Sequence, residues 1–371
     1  MTELPKIAIP SDLLPGDGRF GSGPSRIDTS FVHDLAKTGA DFLGTSHRQP
    51  TVRSVLHSVQ DGIREMYDLP DGYEVVLGVG GATAFWDAAA FGLIERRSAH
   101  FVCGEFSNKF ASSVAAAPHL DPPVVVAADP GSAPIPTAVA DVDTSAFIHN
   151  ETSTGVMAPF VRLGEGLVAV DGTSAAGAVP IDLDAVDAYY FSPQKALGSE
   201  GGLWIALMSP AAIERVETLA RTPRWIPEFL SLNTALFNSR KAQTYNTPAL
   251  TTLYLLARQI DLVNSRGGIG WAFQKVKATS EHLYRWAELS PFAEPYVSDV
   301  ELRSPTVVTI DLNASVEAAT VSSILRTNGI VDTESYRKLG RNQLRIATFP
   351  NVPLDDARAL TACVDYIVDH L

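Results

Sequence analysis

From Val52 onward, apolar side chains recur at Val55, Leu56, Val59, Ile63 and Met66, the three- and four-residue spacing of a helix with one buried face. Pro50 just ahead of them suits a first helical turn, where a missing amide hydrogen costs nothing. The period then changes. Residues 73–77 predict a strand, 78–81 a tight glycine turn and 82–94 a second helix. Short β-rich runs follow at 100–103, 123–126, 146–149, 167–170, 188–191 and 203–207, with helix-like stretches at 108–117 and 210–220. Strands this apolar, spaced by helices, predict an α/β fold with a mostly parallel sheet covered on both faces.

Beyond Pro248 the pattern turns to long helices over residues 250–264 and 271–289, with Gly267, Gly268 and Gly270 between them. A hinge is expected there. It divides a large domain (1–265, N-terminal segment included) from a smaller C-terminal α+β domain (266–371). The latter offers strands at 306–312 and 343–347, a helix at 316–328 and a closing helix from Pro353. Residues 129–140, rich in Ala and Pro, read as a surface loop.

Composition narrows the function. Of 371 residues, 46% are hydrophobic and 19% charged, which excludes a disordered chain. Lys and Arg total 29 against 42 Asp and Glu, a net charge of −13 that opposes nucleic-acid binding and obliges any anionic substrate to find local cations. The first residues carry an acid and prolines where a secretory signal needs a basic start and an unbroken apolar stretch. No apolar run approaches the roughly 18 residues that span a bilayer. Cys103 and Cys363 make no disulfide framework, and the eight histidines show no metal-ligand spacing. The expectation is a cytoplasmic protein with no metal, membrane or nucleic-acid partner.

Three features carry candidate chemistry. Gly78-Val79-Gly80-Gly81-Ala82-Thr83 lies between strand and helix, where small residues let backbone amides and a positive helix end approach a phosphate. Thr83 stands where a dinucleotide fingerprint needs its third glycine, and the same segment is also readable as an ordinary strand-to-helix turn. Lys195, past an apolar strand in Phe191-Ser192-Pro193-Gln194-Lys195, is aimed at a sheet-end crevice; most lysines are solvated, but one in a dry pocket loses its proton and forms a Schiff base with an aldehyde. Asp171 closes the strand before Gly172-Thr173-Ser174 and reads either as a helix cap or as a buried acid in that crevice. Together, a phosphate-cradling turn, a buried acid and a lysine meet the needs of a pyridoxal 5′-phosphate site.

The order GVGGATAFW, HNETSTG, VAVDGTSAAG and FSPQKALG resembles that of fold-type I pyridoxal-phosphate enzymes of the class V aminotransferase group. With GSGPSRI near the start, Ser46-His47-Arg48, and Tyr245-Asn246-Thr247-Pro248, the chain is similar to the phosphoserine aminotransferase family over nearly its whole length. That resemblance implies that Lys195 carries pyridoxal 5′-phosphate and that Asp171 pairs with the pyridinium nitrogen. It implies contacts to the cofactor ring, hydroxyl or phosphate from Gln194 and Thr152, and a phosphate hold from Ala82 and Thr83. Phe106 falls where the family usually stacks a tryptophan. The resemblance also implies a homodimer in which Asn246 and Thr247 complete the neighbour's phosphate site, with Arg345 clamping the substrate carboxylate and His47 and Arg48 reading the substrate phosphate from across the dimer.

There are departures. Ala82-Thr83 stands where some relatives carry an arginine, and Tyr336-Arg337 followed by Asn342-Gln343-Leu344-Arg345 replaces the family's His-Arg and Gly-Gly-Met-Arg. Arg240 or Lys241 is a candidate for the missing cation. Cys103, beside Gly104-Glu105-Phe106, is a candidate for the border of the site, whereas Cys363 falls on the apolar face of the last helix. The activity implied is transamination between L-glutamate and 3-phosphohydroxypyruvate, giving O-phospho-L-serine and 2-oxoglutarate for serine biosynthesis. Alternatives are an alanine:glyoxylate or serine:pyruvate aminotransferase, a sulfur-handling lyase, or a non-catalytic binding relative; the presence of both Lys195 and Asp171 argues against the last.

Overall fold

A computed structural model describes residues 7–371; the first six, counted above with the N-terminal segment, lie outside the described residues. Helices α1 (Thr29–Thr38) and α2 (Pro50–Tyr67) precede strand β1 (Glu74–Val79). Next come α3 (Gly81–Gly92), β2 (Ser98–Val102), α4 (Glu105–Ala115), β3 (Val124–Ala127) and β4 (Thr144–Ile148). A two-residue hairpin, β5 (Asn150–Glu151) and β6 (Val156–Met157), leads to β7 (Leu167–Asp171), β8 (Ala188–Phe191) and β9 (Leu203–Met208). Helices α5 (Pro210–Leu219), α6 (Leu232–Ser239), α7 (Leu250–Ser265) and α8 (Gly268–Leu289) follow. The chain closes with β10 (Ala293–Pro295), β11 (Val307–Leu312), α9 (Ala318–Thr327), β12 (Gln343–Ala347) and α10 (Leu354–Asp369).

Seven strands form one sheet in the order β1-β9-β8-β7-β4-β2-β3. Four of its six pairings are parallel, and only the two made by β9, with β1 and with β8, are antiparallel, with Met208 opposite both Glu74 and Ala188. The expected mostly parallel sheet is present, and its one reversed strand is as apolar as the rest, so burial on both faces hides strand direction from the sequence. Alternate residues serve opposite cores: Val75 and Leu77, Tyr189 and Phe191, and Ile205 and Leu207 pack on one side with α2 and α7. Val76, Tyr190, Trp204 and Ala206 pack on the other with α3, α5 and α6. Gly78 is required inside β1, because a Cβ there would lie 2.1 Å from the Trp204 ring.

The second sheet, β10-β11-β12, is antiparallel and shares a core with α8, α9 and α10. Ile9 and Phe20 of the N-terminal segment are buried in that same core, and Phe20 exchanges backbone bonds with Val331 (3.2 Å) and Ala347 (3.0 Å). Cys363 packs there too, as expected of the apolar face of α10. Helix α8 begins three residues before the expected start because glycines at its first turn mask it; Gly267, at φ 116°, caps it. Helices α1 and α6 were not anticipated. They begin at Asp28 and Ser231, whose side chains accept from Ser30 and Thr234 amides, so capping rather than periodicity marks them.

Candidate active site

The carboxyl ends of β1, β7 and β8, the loop after β4 and the amino end of β9 open onto a cavity of about 380 Å³. This is the crevice that an open α/β sheet offers at its strand ends. At its floor, Gly80 (φ 116°) and Gly81 (φ 75°) turn the chain from β1 into α3, a conformation that favours glycine. Helix α3 has no side-chain cap, and Gly81, Ala82 and Thr83 line the cavity with the unsatisfied amides of its first turn.

Asp171 ends β7 with its carboxylate buried. Oδ1 accepts from the Thr173 amide at 2.9 Å and Oδ2 from the Trp86 indole at 3.2 Å. Burial raises its pKa above the usual carboxylate range, opposed by the bonds from Thr173 and Trp86 and by the Lys195 charge. Lys195 follows β8, which pairs directly with β7. Its Nζ donates to Thr152 Oγ1 at 2.6 Å and lies 4.9 Å from the centre of the Phe106 ring. Burial outweighs the Asp171 and Glu151 charges and pushes the amine down to about 8.

Arg345, on β12, enters from the second sheet. Its Nη1 lies 3.4 Å from the Thr152 carbonyl and its guanidinium 5.4 Å from the Tyr336 ring, while Nε is buried without a partner. Burial lowers its pKa, against the favourable field of Tyr336 and Glu334. Gln194 lines the cavity and its Oε1 is also unpartnered. The N-terminal segment closes one side: Ser25 Oγ donates to the Lys195 carbonyl at 2.6 Å, and a Cβ on Gly23 would come within 2.9 Å of Lys195 Cε.

Of the residues singled out in the sequence, Ala82, Thr83, Phe106, Thr152, Asp171, Gln194, Lys195 and Arg345 line this one cavity. His47, Arg48, Asn246 and Thr247 do not. They form a separate patch, joined by a 3.2 Å bond between His47 Nδ1 and Thr247 Oγ1, with Arg48, Asn246 and Thr247 exposed. Burial and the Arg48 charge hold the His47 pKa below its usual value. Two candidates for the missing cation are corrected. Arg240 is bound by Glu74 and Glu217 and Lys241 lies 3.4 Å over Phe237, so neither reaches the cavity. Cys103 also stays outside, buried among Ile148, Val156 and Val297 with its thiol pKa pushed up by burial.

Trp86 and Thr173 escaped the sequence reading. A signal for Trp86 existed in its position three residues beyond Thr83, which places it on the same face of α3. The cavity suits a phosphorylated aromatic aldehyde. It combines an amine of lowered pKa, a buried carboxylate, an aromatic face and a helix N-terminus. Four buried polar atoms of its lining have no protein partner: Asn150 Oδ1, Thr173 Oγ1, Gln194 Oε1 and Arg345 Nε. Such unpaired groups are costly unless a ligand satisfies them. Among the described residues there is no group of three or more His, Cys, Asp or Glu able to hold a metal ion, and no helix long and apolar enough to cross a membrane.

The chain belongs to the class-V aminotransferases, whose family model, Aminotransferase class-V, matches residues 137–333. Its relatives within that class include a putative phosphoserine aminotransferase of Mycolicibacterium vanbaalenii, 55% identical over 98% of this chain and 99% of that protein. A phosphoserine aminotransferase of a Nocardioides species is likewise 55% identical, over 98% of this chain and 99% of its own length. In fold, the chain is similar to a solved phosphoserine aminotransferase from Cytophaga hutchinsonii, with a TM-score of 0.87 over 94% of this chain and 99% of that one at 23% identity.

Proposed function

We propose that the protein is a pyridoxal 5′-phosphate-dependent aminotransferase that transfers the amino group of L-glutamate to 3-phosphohydroxypyruvate, giving O-phospho-L-serine and 2-oxoglutarate for serine biosynthesis. The observation that carries this reading is the placement of a buried amine, Lys195, and a buried carboxylate, Asp171, at the ends of paired strands in one cavity. The names of relatives 55% identical over nearly the full chain support the choice of substrate.

When bound, pyridoxal phosphate supplies the electron sink for moving an amino group between carbon skeletons. Lys195 binds it through Nζ, and the lowered pKa gives that amine a usable neutral fraction near pH 7. The neutral Lys195 amine would take up and return a proton at the substrate α-carbon, with the Thr152 hydroxyl orienting Nζ. Asp171, fixed by Trp86 and Thr173, holds the proton at the ring nitrogen. The first-turn amides of α3 with the Thr83 hydroxyl would hold the phosphate, and Phe106 and Gln194, which line the same cavity, would offer the ring an aromatic face and a carboxamide oxygen. Arg345 binds the substrate carboxylate in a two-pronged fork.

Only Lys195 and Arg345 supply positive charge to the described cavity lining. A substrate with both a carboxylate and a phosphate needs more. Arg48 of the partner subunit supplies the further charge in a homodimer and His47 of the partner subunit a neutral hydrogen-bonding ring, with Asn246 and Thr247 of the partner subunit completing the cofactor phosphate site; the clustering of these four residues on one patch outside the cavity supports the reading. The division after residue 265 belongs to the same proposal and is supported by the Gly267 break between α7 and α8, while the N-terminal segment, counted with the first domain, packs Ile9 and Phe20 into the core of the second. A cytoplasmic location is supported by two free, buried cysteines.

The test is turnover with glutamate as donor and 3-phosphohydroxypyruvate, pyruvate or glyoxylate as acceptor. The phosphorylated acceptor is expected to win by orders of magnitude in kcat/KM. Preference for pyruvate or glyoxylate would reassign the protein to the alanine-using branch, and binding of cofactor without any transfer would mark a non-catalytic relative.

A further inference from the structure

One carboxylate beside the cavity has no part in the chemistry above. Glu151, on β5, is fully buried, yet it forms no ion pair among the described residues. Its oxygens are instead filled by hydrogen-bond donors from two segments. Oε2 accepts from the Phe106 amide at 3.1 Å, the Ser107 amide at 3.0 Å and the Ser107 hydroxyl at 2.9 Å. Oε1 accepts from the Ser153 hydroxyl at 2.6 Å and the Ser153 amide at 3.2 Å. The Ser153 hydroxyl in turn accepts from the Glu105 amide at 3.0 Å. All three amides of the first turn of α4 are therefore held from β5 and its loop, in place of the side-chain cap that Gly104 cannot supply. The approach is close: a Cβ on Gly104 would meet Glu151 Cγ at 2.4 Å and Cδ at 2.6 Å.

What Glu151 joins matters for the site. Phe106, whose amide donates to it, presents its ring to Lys195, and Thr152, its own chain neighbour, accepts a hydrogen bond from Lys195 Nζ. We propose that Glu151 is a positioning residue that locks the start of α4 to the Thr152 loop, so that Phe106 and Thr152 keep a fixed register around Lys195. A carboxylate is needed rather than a carboxamide of the same shape. The backbone amides of Phe106, Ser107 and Ser153 can only donate, so wherever the NH₂ of a glutamine is placed it faces at least one amide N–H and leaves that donor buried and unpaired. The positive end of α4 also compensates a full negative charge better than a neutral amide.

This inference deepens the aminotransferase reading and rests on it. The experiment uses the full-length chain as wild type, Glu151→Gln, Glu151→Asp, Phe106→Ala and the Glu151→Gln/Phe106→Ala double variant. Each is titrated with pyridoxal phosphate, following Schiff-base absorbance. In parallel, the pH dependence of Lys195 modification by trinitrobenzenesulfonate is read on unloaded protein by peptide mapping. Glu151→Gln is expected to weaken the cofactor about tenfold or more, the effect of losing one or two hydrogen bonds to a charge. In the Phe106→Ala background the same change is expected to cost under about threefold, because the ring it positions is gone. The Lys195 midpoint moves to lower pH in Glu151→Gln, since a nearby negative charge that favours the ammonium is lost, and Glu151→Asp restores part of both effects. Glu151→Gln with unaltered cofactor affinity and an unaltered Lys195 midpoint overturns the proposal, whatever its thermal stability, and so do additive losses in the double variant. Should Glu151→Gln not fold, Glu151→Asp, which keeps the charge but shortens the reach, carries the same comparison with Phe106→Ala. Failure of wild type to take up pyridoxal phosphate is a failure of the aminotransferase reading alone, and the Lys195 midpoints then decide the role of Glu151.

Discussion

Trp86 reaches from the second turn of α3 to donate its indole N–H to Asp171 Oδ2 at 3.2 Å, binding the helix whose first amides line the cavity to the acid at the end of β7. Phe110 stacks on the same indole at 6.3 Å, so the ring is held independently of its polar end. Trp86→Phe keeps the packing and deletes the donor. One of the hydrogen bonds that oppose the effect of burial on Asp171 is then lost, and its pKa rises further. Pyridoxal phosphate affinity is expected to fall about tenfold, the scale of one hydrogen bond to a charged group, with little change in Tm. Fluorescence titration reads the first and differential scanning calorimetry the second.

The Lys195 amine, at about 8 in the folded protein against an ordinary 10.5, gives two pH signatures. Its reaction with aldehydes should rise tenfold per pH unit up to about pH 8 and then level, whereas an ordinary lysine keeps gaining to about pH 10.4. Asp171→Asn removes a charge that favours the ammonium, so the plateau moves to lower pH. Stability follows with the opposite bookkeeping. Between about 8 and 10.5 the unfolded chain binds the proton more tightly than the native one, so stability rises with pH by at most about 3 kcal/mol in this window. Subtracting the profile of Lys195→Met from that of wild type isolates the contribution; no difference between them means the amine is ordinary.

Much of this arrangement is legible in the sequence. Asp171 and Lys195 stand at the ends of apolar runs, and a strand end in a parallel sheet faces the crevice whatever its neighbours are. Strand order was not legible, because β9 is as apolar as the parallel strands around it and its reversal depends on the chain path through Gly198 to Gly202. Trp86 and Glu151 were missed for a related reason. Each acts through a partner distant in sequence, Asp171 in one case and Phe106 in the other, and no local spacing announces a hydrogen bond across 85 or 45 residues. Arg240 shows the converse error: its charge drew attention, and only the structure reveals that Glu74 and Glu217 already neutralise it.

If each site is completed across a two-fold axis, lesions on different subunits complement each other. Lys195→Ala alone is inactive, and a variant altered at both Asn246 and Thr247 is expected to hold the cofactor poorly. Mixed and reassembled, they give hybrids in which one site collects both lesions and the other has none. Activity should recover toward a quarter of the wild-type level, on the order expected when half the dimers are hybrids with one intact site each. Native mass spectrometry verifies hybrid formation. Verified hybrids without activity would place Asn246 and Thr247 outside the neighbour's site.

The last prediction concerns Arg48, which is exposed and bonds no acid among the described residues, beside the buried His47. A phosphate dianion entering a protein of net charge −13 needs a local cation of good geometry, and a guanidinium fork matches phosphate oxygens in two parallel bonds. His47 contributes differently: its pKa is lowered, so near neutral pH it acts as a neutral ring whose free Nε2 donates or accepts by tautomer. If Arg48 reads the substrate phosphate, Arg48→Ala slows the phosphoserine half-reaction by roughly 10- to 100-fold, the cost of about 1.5–3 kcal/mol for a charged hydrogen bond. The glutamate half-reaction, whose distal group is a single carboxylate, should lose much less. The bland alternative is that His47 and Arg48 only brace the start of α2 at Pro50, where the backbone already turns through a Gln49–Ser46 bond of 2.9 Å. Bracing predicts a lower Tm and equal slowing of both half-reactions. Stopped-flow measurement of each half-reaction, run beside a melting curve of the same variant, therefore separates recognition from support, and equal slowing would remove the residue-level reason for preferring a phosphorylated substrate.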